Sequence, residues 1–66
     1  MQIRVNGKPE QVDAGVTIAV YLAAKRLDTQ RVAVELNGRI VRRDAFGATA
    51  LGEGDCMEVV HFVGGG

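Results

Sequence analysis

At 66 residues, the chain has room for one small domain with a thin core. It lies near the lower limit for folding without a metal or disulfide, and an enclosed substrate pocket is excluded. Eight Lys and Arg balance eight Asp and Glu, and Cys56 and His61 are the single cysteine and histidine, which excludes an overall field that draws nucleic acid, an internal disulfide and a tetrahedral metal site of the usual ligands.

Ile3 and Val5 alternate with Gln2 and Arg4 up to Asn6-Gly7, and a second short extended run, Glu10-Gln11-Val12, follows. Asn-Gly between alternating segments signals a hairpin, because both turn residues tolerate positive φ. Pro9 has no amide to donate, which assigns the second strand to a sheet edge. No basic leader followed by an apolar run opens the chain and no stretch is long enough to span a bilayer, so a cytoplasmic location with no membrane partner is expected. After Asp13-Ala14-Gly15 the period changes. Thr17 is the candidate N-cap of a helix whose apolar face is Ile18, Tyr21 and Leu22, with Ala19, Ala23 and Ala24 as helix-favouring small residues. Val20 stands where a capping box needs Glu or Gln. Lys25 and Arg26 suit a helix C-terminus, and the helix is expected to end near Leu27-Asp28.

Val32, Val34 and Leu36 alternate up to a second Asn-Gly pair, Asn37-Gly38, and Arg39-Ile40-Val41 returns from it as a short strand. Arg42 to Phe46 reads as a turn, with Phe46 as the large apolar side chain that pins the connection. Glu53-Gly54-Asp55 marks a further turn before a last strand from Cys56 to Val63. Met57, Val59, Val60, Phe62 and Val63 make both faces of that strand partly apolar, as a central strand requires. Parallel pairing of the first and last strands puts both at the sheet centre with the hairpins outside. The fold class is α+β: a β-grasp of four to five strands in a mixed sheet against one helix, over residues 1–63.

Residues 64–66 form a separate tail. Gly64, Gly65 and Gly66 offer no Cβ for packing, so the expected tail is a thin flexible stalk whose carboxylate can be threaded into another protein's active site. The competing reading is a frayed end without chemistry. By period-two alternation, His61 shares a face with Met57, Val59 and Val63, while Glu58, Val60 and Phe62 share the other. If the helix covers the first set, Val60 and Phe62 are exposed docking candidates beside the tail; if a bulge swaps the faces, Phe62 is core. Cys56 reads as a small, partly buried residue at a strand start, with a persulfide carrier as the alternative. Arg39, Arg42 and Arg43 form the densest basic patch, a solvated surface able to steer an acidic partner. Zero net charge and three aromatic residues argue against a nucleic-acid partner.

Several stretches together resemble the ThiS family of ubiquitin-like β-grasp sulfur carriers. They are Met1-Gln2-Ile3 with Asn6-Gly7, Ala14 to Ile18 entering the helix, Val32 to Val41, Gly54-Asp55 before the last strand, and the glycine tail. Arg42 and Phe46 depart from the Pro and Trp often found in this family after the fourth strand. The resemblance implies a protein co-substrate rather than an enzyme, with no catalytic side chain, bound cofactor or metal of its own. A ThiF-like adenylating enzyme uses ATP to activate the carboxylate of Gly66, with Gly64 and Gly65 recognised as the tail. Sulfur from a sulfur-donor protein then replaces the adenylate, and the thiocarboxylate serves a ThiG-like thiazole synthase in thiamine biosynthesis. The free carrier is expected to be a monomer. The alternatives are a carrier like the molybdopterin synthase small subunit, which is usually longer, and a β-grasp interaction module whose glycines do no chemistry.

Overall fold

The two Asn-Gly pairs set the hairpins. In the computed structural model, which describes residues 1–63, Asn6 and Gly7 have φ of 52° and 81°, and Asn37 and Gly38 of 53° and 84°. Two successive left-handed residues make the turn whose twist matches that of the strands it joins. The first pair joins β1 (Gln2–Val5) to β2 (Lys8–Gln11), and the second joins β3 (Val32–Leu36) to β4 (Arg39–Val41). Between the hairpins runs β5 (Cys56–His61), parallel to β1 and antiparallel to β3, in the order β2-β1-β5-β3-β4. Pro9 therefore lies on an edge strand, where its missing amide costs no ladder bond. With one helix, α1 (Ile18–Ala24), against this mixed sheet, the architecture is the β-grasp.

The helix begins without a capping box, and carbonyls of the loop before β5 accept from its first two amides instead. The Ile18 and Ala19 amides donate to the Thr49 and Phe46 carbonyls, both at 3.0 Å. The Val20 amide donates to Thr17 Oγ1 at 3.2 Å. The first-turn donors that a helix start leaves open are thus engaged.

At its other end α1 stops at Ala24, with Lys25 as C-cap, and not near Leu27-Asp28 as its polar residues suggest. Arg26 takes a φ of 59°, and the Arg26 and Leu27 amides turn back to the carbonyls of Ala23 and Leu22, both at 3.0 Å. This is a Schellman closure in which arginine occupies the left-handed position usually held by glycine. Leu27 packs against the core instead of continuing the helix. Asp28 then caps a single 3-10 turn over Thr29–Arg31, its Oδ1 accepting from the Gln30 amide at 2.9 Å.

Ile3 of β1, Ile18 and Leu22 of α1, Val34 of β3 and Met57 of β5 are fully buried together, with Val5, Tyr21, Val32, Phe46 and Leu51 around them. Phe46 pins the connection from β4 to β5 as expected, but not alone: Leu51 is equally buried. The Leu51 amide donates to the Val16 carbonyl at 2.8 Å, and Ala50 bridges Thr17. β5 closes at His61, short of Val63, because β3 begins at Val32, the partner of His61. Only the Phe62 amide carries the pattern further, to the Arg31 carbonyl at 2.7 Å.

Candidate functional site

The strand that leads to the glycine tail has two unlike faces. Met57 points into the core and is fully buried, and Val59 packs against it two residues on. The intervening residues Glu58 and Val60 point the other way, and Phe62 continues that side. Val60 and Phe62 are 54% and 56% exposed. No bulge exchanges the faces, so Phe62 is not core.

Cross-strand register assembles the rest of this outer face. Val60 lies opposite Ala33 and Glu58 opposite Glu35, while Glu35 also pairs with Ile40 of β4. Ile40 is 80% exposed. Ala33, Ile40 and Val60, with Glu35 and Glu58, line a shallow groove of about 130 Å³. Sequence reasoning named Val60 and Phe62 as docking candidates and placed Glu58 on their face, but missed Ile40 and Glu35. Alternation within Arg39-Ile40-Val41 held that information, but only the pairing of β4 with β3 converts it into a shared face.

Two side chains hold β5 from either flank. Asn6 Nδ2 donates to the Val59 carbonyl at 3.1 Å, and its Oδ1 accepts from the Val59 amide at 2.8 Å. Asn6 thereby prolongs the β1–β5 ladder, whose backbone register covers only Arg4 with Cys56 and Val5 with Met57. On the other flank Asn37 Oδ1 accepts from the Cys56 amide at 2.9 Å, and its Nδ2 donates to Asp55 Oδ1 at 3.1 Å. These roles went unseen in the sequence, where Asn-Gly was read only as a turn.

The other candidates are placed as follows. Cys56 is exposed rather than partly buried, because it begins β5 on the outer face. Of the basic patch, Arg43 donates through Nε to the Thr29 carbonyl at 2.6 Å and Arg42 pairs with Asp44 at 3.6 Å, so both have local structural tasks. On the helix side, Glu10 of β2 accepts from the Tyr21 hydroxyl at 2.9 Å and pairs with the Lys25 ammonium. Lys25 lies 5.6 Å from the Tyr21 ring centroid. Lys25 holds the Glu10 carboxyl below its usual value, against partial desolvation, with help from Tyr21. Burial, then Glu10, pushes the Tyr21 hydroxyl up. This cluster ties α1 to the edge strand and lies away from the outer face. Among the described residues there is no group of three or more metal-ligating side chains, and no helix is long and apolar enough to cross a membrane. Gly64, Gly65 and Gly66, and with them the tail boundary after Val63, lie outside the described residues.

The chain is similar in sequence, and to a solved structure also in fold, to known proteins. The ThiS family model matches residues 3–66. The sulfur carrier protein ThiS of Bacillus subtilis is 38% identical, with 97% of this chain and 98% of that protein covered. A thiazole synthase of Magnetococcus marinus is 44% identical over the whole chain, which spans 20% of that protein's length, and the one from Paramagnetospirillum magneticum is 35% identical over the same share. The chain thus spans about a fifth of these two relatives. The crystal structure of the thiamine biosynthesis protein ThiS from Geobacter metallireducens superposes with a TM-score of 0.84 at 40% identity, covering all of both chains. With the β-grasp sheet, the outer stripe of β5 and a family match across nearly its whole length, the chain belongs to the ThiS family of ubiquitin-like sulfur carriers.

Proposed function

We propose that the chain carries sulfur as a thiocarboxylate on Gly66 and delivers it for thiazole formation in thiamine biosynthesis. An adenylating enzyme of the ThiF kind consumes ATP, transfers AMP to the Gly66 carboxylate and releases pyrophosphate. Sulfur from a donor protein then displaces AMP. The observation that carries this reading is an exposed apolar stripe, Val60 and Phe62, running along the strand that leads into Gly64-Gly65-Gly66. Such a stripe docks a partner while the glycines enter its active site, where any Cβ would widen the thread. Delivery to a thiazole synthase is supported by the two relatives of that name, in which a stretch similar to the whole chain makes up 20% of the protein. Likeness to the Bacillus sulfur carrier, at 38% identity, and to the Geobacter thiamine biosynthesis protein, at 40%, supports the thiamine carrier over the molybdopterin type.

The test is ATP–pyrophosphate exchange by the cognate activating enzyme. Gly65→Ala, Gly66→Val and deletion of Gly66 should keep the thermal midpoint and lower the exchange rate, Gly66→Val more than Gly65→Ala. Undiminished exchange by all three would leave an interaction module without tail chemistry as the better reading. Phe62→Asp should stay folded and weaken binding by roughly 2 kcal/mol, the loss typical of an interface anchor.

A further inference from the structure

Three successive carbonyls of one short turn meet at the root of the tail. They belong to the 3-10 turn Thr29–Arg31 that leads from α1 into β3. The third, that of Arg31, accepts from the Phe62 amide at 2.7 Å, and among the described residues this is the last backbone hydrogen bond before the glycines. The first two are held by one side chain from the far connection: Arg43 donates through Nε to the Thr29 carbonyl at 2.6 Å and through Nη2 to the Gln30 carbonyl at 3.3 Å. A planar guanidinium that spans two neighbouring peptide units fixes their orientation as well as their position. From the turn's own start, Asp28 Oδ1 accepts from the Gln30 amide and the Asp28 carbonyl from the Arg31 amide, both at 2.9 Å. The turn has no buried side chain, so these hydrogen bonds do most to keep it in place.

Resting on the carrier reading above, we infer that Arg43 is a positioning residue for the tail: by clamping the Thr29–Arg31 turn it holds the carbonyl that anchors Phe62, and so fixes the point from which Gly64-Gly65-Gly66 leaves the domain. β5 itself closes at His61. Without the clamp, the last ordered residue would be His61, and Phe62 and Val63 would join the stalk. A partner would then have to order that backbone at the moment of docking, which weakens binding without altering the complex once formed. Arg43 is exposed, and a bare positive charge there could instead steer an acidic partner. Lysine separates the two roles, since it keeps the charge and loses the fork.

The test compares Arg43→Ala, Arg43→Lys and Asp28→Ala, which loosen the same turn from two sides, with Glu10→Gln, which releases the far edge of the sheet. In hydrogen exchange, protection of the Phe62 amide should fall in the first three by more than that of the Val59 amide, and Glu10→Gln should not single out Phe62. In ATP–pyrophosphate exchange with the cognate activating enzyme, the first three should raise KM for the carrier roughly fivefold, the cost of ordering about one backbone residue, with kcat unchanged. Glu10→Gln should keep the wild-type KM although it too lowers the thermal midpoint. Wild-type KM in Arg43→Ala would reduce Arg43 to a stabilising residue and overturn the inference while leaving the carrier reading intact. A normal KM in Arg43→Lys beside a raised one in Arg43→Ala would assign the effect to charge steering and overturn it as well. A wild type that supports no exchange would overturn both readings.

Discussion

Asn6 shows how one side chain does two jobs. Asparagine and aspartate both tolerate the left-handed backbone of the first turn position, so the turn alone does not separate them. The side chain does, since Asn6 both donates to and accepts from Val59. In Asn6→Asp the donor becomes a second acceptor facing a carbonyl, and the variant should lose about 1 kcal/mol of stability in urea titration. Protection of the Val59 amide against hydrogen exchange should survive better than the overall loss suggests, because the remaining oxygen still accepts from it. The turn was legible in the sequence because Asn-Gly is a local signal; the bond to Val59 was not, because it joins residues brought together only by the parallel pairing. Glu10 is a second such case. Its carboxyl is held below the usual 4.5, chiefly by Lys25, so the stability it contributes is present above that value and is lost as pH falls through the lower folded value. Comparing wild type with Glu10→Gln, the difference in thermal midpoint should be largest near neutrality and shrink below about pH 4.5.

Among the elements, α1 departs most from its sequence expectation, at its C-terminus. Ile18, Tyr21 and Leu22 announce its buried face and Thr17 its start, and both are found. Its end gives no such notice, because Arg26 adopts the left-handed conformation without being glycine. A left-handed arginine costs roughly 1 kcal/mol, which the two Schellman bonds and the docking of Leu27 outweigh. Arg26→Gly removes that cost and should stabilise the domain by about 1 kcal/mol, or about 4–8 °C in thermal midpoint for a domain of this size. A lower midpoint would mean that the Arg26 side chain contributes more than its backbone costs. β5, by contrast, was legible as a central strand from its doubly apolar pattern. Its outer apolar residues Val60 and Phe62 are exposed, one of the two placements the sequence left open, since alternation records which residues share a face and not what lies over it.

At the scale of the molecule, the topology followed from two hairpin signals and one central strand, whereas the long connection between β4 and β5 had no period to read. That connection is structural all the same. Phe46 and Leu51 close the core from it, and its carbonyls cap α1. Phe46→Ala should cost about 3–5 kcal/mol, comparable with the whole stability of a domain this small. Circular dichroism should show most of the fold lost at 37 °C, whereas Ile40→Ala on the outer face should melt like wild type. The placing of β5 has a further consequence, for the life of the polypeptide before it is folded. Of the five described strands β1 is synthesised first and β5 last, yet they are neighbours, and β5 joins the two hairpins. A nascent chain that has emerged only as far as Asp55 holds two hairpins and a helix with no sheet to unite them. Closing so long a loop is entropically costly until β5 arrives. The strand that completes the domain is also the one that bears its outer stripe. Under the docking proposed above, a partner that reads Val60 across β5 and β3 would meet that surface only once the sheet is closed, so that docking would itself inspect folding.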